Sequence, residues 1–271
     1  MKLRIGRSLT ILALIASATG IAAASCVEPG GGSRVEMYPT SQELPSNLLR
    51  IYLYFAYPVH TPDALKHVML KGADGREIDG VFLPSRYDLW SPDRRRLTLL
   101  LDPGRVKTGL QAHETHGRAL TIGEENSHIV DEASLRAKTC EQDAVSVFKF
   151  SVTAPDYDPP KPGEWRITLP KSGTTEPLIV DLGSPHDHVS LAFRLRVTDG
   201  QDAIVPGSVD LRSGETIWTF TPSDPWSGQA YTIAIDEMLE DLAGNRPDGV
   251  FARPAGDANL NWSREIPWRA R

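Results

Sequence analysis

The two halves of this 271-residue chain carry turn residues at nearly the same spacing, and this repeat restricts the fold more than any other feature of the sequence. Between the turns, apolar residues occupy every second position, which is typical of β-strands with one buried face. Such a repeat predicts two copies of one β unit. The matching intervals are Pro58 to Val81 (23 positions) and Pro185 to Val209 (24), then Pro103 to Gly109 and Pro222 to Gly228 (6 each).

Alternating stretches predict strands in both halves. A proline-rich segment, residues 155–163, separates the two copies and is typical of a semi-rigid linker. Each half is close to the roughly 100 residues of an immunoglobulin-like (Ig-like) sandwich. The predicted strands cover residues 48–57, 68–70, 97–101 and 144–152 in the first half, and residues 178–182, 193–197, 218–220 and 231–236 in the second.

The N-terminus has the composition of a secretory signal. Lys2, Arg4 and Arg7 form a basic region, and residues 9–21 are an apolar run too short to span a bilayer. Small residues at positions 22–25 then provide a cleavage zone. We therefore expect a signal peptide over residues 1–25 and export of the remaining chain.

Cys26 directly follows this zone, and Ala23-Ala24-Ser25-Cys26 resembles the lipobox of bacterial lipoproteins. The resemblance implies lipid attachment at Cys26, and the glycine-rich residues 26–35 are then a flexible tether. Val27 after the cysteine favours the outer membrane, with the protein facing the periplasm or the cell surface. The alternatives are ordinary cleavage after Ala24 and a disulfide between Cys26 and Cys140 in a freely secreted protein.

Net charge restricts the partners. The sequence carries a formal charge of −6, and removal of the three basic residues of the signal leaves −9. Nucleic acid is a poor partner for such a chain, because phosphate binding needs a basic surface. The one basic cluster, Arg94-Arg95-Arg96, is interpreted as a solvated loop before a strand, with a binding patch as the alternative.

The segment Asp241-Leu242-Ala243-Gly244-Asn245 and the strand before it resemble the bacterial Ig-like domains of the SbsA type, whose repeats tend to end in this kind of turn. Pro185-His186-Asp187 and Thr219-Phe220-Thr221-Pro222 extend the resemblance. It implies a surface, adhesive or accessory role, and the family shares no catalytic residues. The first half lacks the closing turn. The predicted domains are residues 36–154, a divergent Ig-like sandwich with long loops, and residues 164–271, a second one with a C-terminal tail.

The long loops of the first half are the expected contact surface, because loops that vary on a constant scaffold commonly carry binding sites. An insertion around residues 86–95 places Trp90 beside the arginine cluster, and we expect this side chain to be exposed, as we do for Trp262 and Trp268 in the tail. Trp218 and Trp226 are assigned to the core. The candidate binding residues are Trp90, Arg94, Arg95, His113 and His116.

Three clusters suggest metal chemistry. His113-Glu114-Thr115-His116 has its histidines at i and i+3 rather than the i and i+4 of the zinc protease motif, so a surface loop is the favoured interpretation. A loop metal site that includes His128 is the alternative. In His186-Asp187-His188, Asp187 is expected to cap a short turn after a strand. Carboxylates near Asp241 suggest weak calcium binding, although turn chemistry explains them equally.

These observations favour a non-catalytic, envelope-anchored binding or structural module built from two Ig-like domains. The predicted partner is an envelope protein or a polysaccharide, and no cofactor or bound metal is expected. Two alternatives remain open. One is a carbohydrate-binding module that uses Trp90, and the other is a metal-dependent hydrolase that uses His113, Glu114 and His116.

Overall fold

Strands dominate the architecture of this protein, whose computed structural model describes residues 35–83, 88–107, 110–132, 134–135, 145–251 and 262–271. The chain is all-β with the character of a β-sandwich, as its sequence predicts. Below, the first half denotes the described residues before residue 154, and the second half denotes residues 162–271. The signal peptide, Cys26, Cys140 and residues 26–34 of the predicted tether lie outside the described residues, whereas Val35, the last residue of the predicted tether, begins β1.

The first half contains two four-stranded sheets. One has the order β1-β3-β6-β5 and the other the order β2-β8-β7-β4, in which only the pair β2 and β8 is parallel. The strands are β1 (Val35–Tyr38), β2 (Glu43–Pro45), β3 (Arg50–Phe55), β4 (Val68–Lys71), β5 (Leu89–Trp90), β6 (Arg96–Leu100), β7 (Glu125–Asp131) and β8 (Val145–Thr153). The helical segments are a 3-10 turn (Ala64–His67), α1 (Pro103–Val106) and α2 (Gln111–His116).

The second half repeats this strand order. Its sheet β9-β10-β13-β12 corresponds to β1-β3-β6-β5, and its sheet β11-β14-β15 corresponds to β4-β7-β8. The repeat of turn residues in the sequence therefore reflects a repeat of topology. The elements are a 3-10 turn (Pro162–Glu164), β9 (Arg166–Thr168), β10 (Leu178–Asp181), α3 (His188–Arg194), β11 (Leu195–Asp199), β12 (Gly207–Arg212), β13 (Ile217–Pro222), β14 (Ala230–Ile235) and β15 (Glu265–Arg269).

Each half encloses its own hydrophobic core between its two sheets. In the first half, Ile51, Leu53, Leu97 and Leu99 face Val130 and other residues of the opposite sheet. In the second half the core is rich in aromatic residues, since Trp218, Phe220, Trp226, Tyr231 and Trp268 all belong to it. Alternation along β6 and β14 gives each strand one buried face, which is the pattern that the sequence predicts.

Two expectations about the second half are wrong. Phe193 was assigned to a strand with Leu195, but it lies in α3, where Asp187 caps the helix by accepting a hydrogen bond from the Ser190 N–H. The cap itself was correctly predicted. The C-terminal segment is not a free tail, because β15 pairs with β14 and buries Trp268 against Tyr231, with ring centroids 5.0 Å apart. Trp262 is partly buried against the same core.

The proline-rich linker is held at Asp156. The side-chain amide of Asn47 donates to the Asp156 carbonyl at 2.7 Å, and the Asp156 N–H donates back to Asn47 Oδ1 at 2.8 Å. The amide of Asn245 reaches the same carbonyl at 3.2 Å. The described residues from Val35 onward form one compact unit.

Candidate functional site: a groove beside the junction of the two halves

The outer face of the sheet β1-β3-β6-β5 packs against the second half. Strand β3 is therefore buried on both faces, and Tyr52 on its outer side is only 4% exposed. The Tyr52 hydroxyl donates to the Asp187 carboxylate, with distances of 2.8 and 3.0 Å to its two oxygens. Burial raises the pKa of Asp187, although Arg50 and the N–H of Ser190 partly offset this by stabilising the charged form.

Arg50 extends this contact. It donates to the carboxylate of Glu240, whose other oxygen accepts from Arg246 at 2.7 and 2.9 Å. Arg50 also lies 3.7 Å from Asp187. Two arginines thus balance two buried carboxylates where the two halves meet.

The closing turn at residues 241–245 is the second part of the junction. The Asp241 carboxylate accepts hydrogen bonds from the N–H groups of Ala243 and Asn245 and from the Asn245 amide, all within 2.9 Å. The Leu242 carbonyl accepts from the Leu49 N–H at 2.9 Å, and its side chain belongs to the first-half core. Turn chemistry therefore occupies the oxygens that suggested calcium.

A third contact places aromatic rings around His188, the first residue of α3. Its ring centroid lies 3.7 Å from that of Tyr38 and 5.6 Å from that of Tyr54. Its Nδ1 is 3.5 Å from the carboxylate of Glu215, which is 1% exposed and accepts hydrogen bonds from both the N–H and the hydroxyl of Thr40. Helix α3 is thereby fixed against the first sheet.

A groove of about 610 Å³ remains where α3 ends and the sheet continues. Its floor is a row of three cross-strand neighbours, Glu36 on β1, Tyr54 on β3 and Arg96 on β6. One wall is Phe193, which is 58% exposed at the end of α3. The β5–β6 loop also lines the groove, with residues 91–93 and Arg95. This volume is within the roughly 300–1,000 Å³ that is usual for ligand pockets.

The charged groups of the groove differ in what they already bind. The Glu36 carboxylate accepts from the Tyr38 hydroxyl at 2.9 Å, and Asp93 accepts from the Ser91 hydroxyl at 2.6 Å and from the Arg95 N–H. These bonds to Asp93 lower its pKa. The charge of Arg95 also contributes to lowering the pKa of Asp93. Among the described residues, the buried Nε of Arg96 has no hydrogen-bond acceptor.

Arg96 is nevertheless held in position. Its guanidinium lies 5.9 Å from the centre of the Tyr52 ring. Arg96 also forms a hydrogen bond with the Tyr54 side chain. This bond and the charge of Arg96 partly offset the increase that burial causes in the pKa of Tyr54. The groove therefore combines one fixed cation, one exposed cation, two carboxylates and three aromatic side chains, Tyr54, Phe55 and Phe193.

The structure separates the predicted binding residues. Arg95 lines the groove, whereas Trp90 is not the exposed side chain that its loop position predicts. Trp90 is partly buried, packs on Phe55 at 5.5 Å and is covered by the guanidinium of Arg94 at 4.8 Å. Arg94 in turn donates to the Val59 carbonyl at 2.8 Å. Trp90 and Arg94 therefore support the loop that carries Arg95.

His113 and His116 lie elsewhere. They belong to α2, so the prediction of a loop is wrong, and the exposed His116 lines a different pocket, of about 940 Å³, beside Arg105 and Arg118. The side chain of His113 lies outside the described residues. His128 is fully buried in β7, and its pKa is lowered to about 3 by burial alone. The structure thus does not bring His128 together with His116, and the described residues contain no cluster of three or more metal-ligating side chains.

Tyr54 and Phe193 are among the groove residues that the sequence did not indicate. Arg96 was part of the recognised arginine cluster, and the alternation of β3 places Tyr54 on the outer face. The Asp187 cap was the signal for Phe193. A cap at Asp187 predicts a helix after it, and the alternation of buried and exposed positions in a strand does not apply to a side chain in a helix.

The fold and this groove define an all-β protein of sandwich type with a preformed surface site. No protein-family model matches the sequence, and no curated protein matches it. Among solved structures, the chain is similar to a chain in a crystal structure of the mouse coronavirus receptor-binding domain complexed with its murine receptor, at 11% sequence identity. The match covers 74% of this chain and 90% of that chain, with a TM-score of 0.18, and it carries no functional argument. None of the described helices has the length and apolar character needed to cross a membrane.

Proposed function

We propose that this protein is a non-catalytic binding module of the bacterial cell envelope and that the groove is its contact surface. The observation that carries the proposal is Phe193, a large apolar side chain that is 58% exposed and lines the same groove as Arg95 and Arg96. Exposed aromatic side chains beside arginines are characteristic of protein contact surfaces. A partner that covers Phe193 and pairs with Arg95 accounts for both features.

The junction supports this proposal because it fixes the groove before any ligand binds. The floor comes from the first half and Phe193 comes from the second, so the groove depends on the packing of α3 against the sheet. Buried hydrogen bonds to Asp187 and the stacking of His188 on Tyr38 maintain that packing. A preformed site avoids part of the entropy cost of binding.

The groove is preferred to Trp90 as the contact site. Sugar-binding modules place aromatic rings against the faces of their ligands, and here Arg94 already covers the Trp90 ring. The predicted carbohydrate-binding role is therefore best tested at Tyr54 and Phe193 rather than at Trp90. The proposed tandem Ig-like domains supply the rigid scaffold.

A crosslinking pull-down from the native envelope tests the proposal. The wild-type protein and the Phe193→Ser variant are expressed at equal levels, crosslinked in intact cells and purified, and the bound components are quantified. We expect specific components that Phe193→Ser reduces several-fold, while Ile122→Ser, at a side chain that is also 58% exposed, leaves them unchanged. Recovery of the same components in the same amounts with Phe193→Ser contradicts the groove as contact surface.

The anchoring part of the proposal rests on Cys26 and has its own test. Mass spectrometry of the mature N-terminus should find Cys26 as the first residue, carrying acyl chains that hold the protein at the outer membrane. The Cys26→Ser variant should be released from the membrane fraction. An unmodified mature chain that begins at Ser25 contradicts lipid attachment.

A further inference from the structure

Strand β8 leaves most of one edge open. Its last three residues pair with β2, and on that side the Ser151 N–H donates to the Gln42 carbonyl at 2.8 Å. Successive residues of a strand direct their backbone groups to alternate sides, so the odd-numbered residues of β8 face this edge and the even-numbered ones face β7. Within the described ranges, no backbone group bonds to the outward N–H and C=O groups of Val145, Val147 or Lys149. Such an edge can accept a further strand.

The second half closes the equivalent edge. Strand β15 corresponds to β8, and its continuation is covered in a similar way, since Arg271 exchanges backbone hydrogen bonds with residues 170–172. Four positions before Arg271, and on the same side of the strand, lies Pro267, which has no N–H to donate. Proline and the charged residues two positions to either side of it prevent pairing with a further strand. Four positions before Ser151 lies Val147 instead, so of these two edges only the one on β8 is open.

The outer face beside this edge is apolar. Val145 and Val147 are 53% and 52% exposed. Val147 pairs with Ile129 of β7, and Ile129 pairs with Met69 of β4, so these three side chains form one row across the outer face of the sheet. A strand added at the edge would extend this row and remove part of its apolar surface from water.

The rows on the two sides of this apolar row carry opposite charges. On one side, Lys149 pairs with Ser127, and Lys71 continues the row on β4. On the other side, Val145 pairs with Asp131. A partner strand that fits must therefore present an acidic row beside Lys149 and a basic row beside Val145, because opposite charges in one row stabilise a sheet. A second copy of this chain that runs antiparallel presents both, since reversal of the strand exchanges its two ends.

We propose that the open edge of β8 pairs with the same edge of a second copy of this chain. The two strands run antiparallel about a two-fold axis at Val147, so Val147 faces its own counterpart and Val145 faces Lys149 of the second copy. This register uses all the unpaired outward groups of both edges and joins the two apolar rows into one. It also places Lys149 of each copy one strand away from Asp131 of the other.

The size of the interface sets its expected strength. Five residues from each copy bury less than the roughly 800 Å² per partner of a standard interface, so we expect a weak dimer in solution, with a dissociation constant in the micromolar to millimolar range. The lipid anchor proposed at Cys26 would confine the copies to one membrane surface and raise their effective concentration.

Cysteine crosslinking of the mature protein tests both the pairing and its register. In a Cys26→Ser, Cys140→Ser background, Val147→Cys places two thiols on Cα atoms about 5.5 Å apart across the axis, within the range of a disulfide. Val145→Cys is the matched control, because its side chain is equally exposed but would lie roughly 14 Å from its counterpart. Under mild oxidation, we expect the covalent dimer to form at least about tenfold faster at position 147 than at position 145.

Sedimentation equilibrium under reducing conditions measures the pairing without thiol chemistry, on the Cys26→Ser protein. We expect the mass to rise with concentration towards that of a dimer. Val147→Pro should abolish this rise by removing an outward N–H, and Val147→Lys, which sets two cations opposite each other, should weaken the dimer at least about tenfold. Ile122→Lys, at an exposed side chain outside β8, should leave it unchanged. Urea titrations confirm that each variant is folded.

The other outcomes overturn the inference. Equal crosslinking rates at positions 145 and 147 exclude the register, and a protein that stays monomeric up to about 1 mM excludes the dimer. A dimer that Val147→Lys does not weaken uses another surface. If a benzophenone amino acid at position 147 captures a different protein in intact cells while the purified chain is monomeric, the edge binds a strand of that protein instead. None of these results depends on Phe193, so failure of the pairing and failure of the groove are distinguishable.

Discussion

The hydroxyl of Tyr52 donates to the carboxylate of Asp187 at 2.8 Å, and this buried bond joins residues 135 positions apart. Asp187 is also the N-cap of α3, so one carboxylate both starts the helix and holds it against the first sheet. Because α3 carries Phe193, the groove depends on this contact.

Removal of the Tyr52 hydroxyl should therefore destabilise the protein. In Tyr52→Phe the buried Asp187 carboxylate loses a donor, and we expect a decrease of about 1–3 kcal/mol in the free energy of unfolding. Tyr38→Phe is the matched control, because the Tyr38 hydroxyl donates to Glu36 in an exposed bond, and its effect should stay below about 0.5 kcal/mol. Equal effects of the two variants in urea titrations would show that the buried bond to Asp187 contributes no more to stability than the exposed bond to Glu36.

The closing turn should not tolerate a side chain at Gly244. This residue has φ of +77°, and an added Cβ would lie 2.6 Å from Leu49 of the first half. Gly244→Ala should cost about 1–2 kcal/mol for the backbone and about 1–3 kcal/mol more for the clash. Gly183→Ala isolates the backbone cost, because Gly183 has φ of +78° and nothing within 4 Å of the added atom. Identical urea midpoints for the two variants would contradict the close packing of the turn on Leu49.

The protein should lose stability in mild acid because of His128. Burial lowers the pKa of this imidazole from 6.5 to about 3, so the unfolded chain binds a proton that the folded chain excludes. The contribution of the neutral His128 to the free energy of unfolding is fully present above pH 6.5. It is lost progressively as the pH falls towards 3, and the loss is about 2 kcal/mol at pH 5. His128→Leu should remove this part of the dependence of the unfolding free energy on pH, whereas His60→Gln, at an exposed residue, should preserve it. Urea titrations at pH 7.5 and pH 5 measure the difference, and a slope unchanged in His128→Leu refutes this account.

Local patterns in the sequence predicted several strands, such as β6 and β14, but not β7, β15 or the groove. Alternation predicted β6 and β14, and the turn chemistry predicted the cap at Asp187, because each depends on residues near one another in the chain. The repeat of turn residues also corresponds to a repeated strand order. These are properties that local sequence determines through backbone geometry and burial.

The groove depends on contacts between distant residues. Tyr54 and Arg96 meet through strand register, and Phe193 joins them only because α3 packs on the outer face of the first sheet. For the same reason Trp90 and Trp268 were wrongly expected to be exposed, since the Arg94 side chain covers the first and pairing of β15 with β14 buries the second. Sequence alone does not show which element will cover a given face.

The most direct test of the central claim places a photo-crosslinking benzophenone amino acid at position 193 and, as a control, at position 122. Both side chains are 58% exposed, so their chances of random encounter are matched. After irradiation of intact cells, we predict crosslinked products at position 193 several-fold above those at position 122, and a reduced yield when Arg95→Gln is added. Equal yields at the two positions would contradict the groove as the binding surface of this protein.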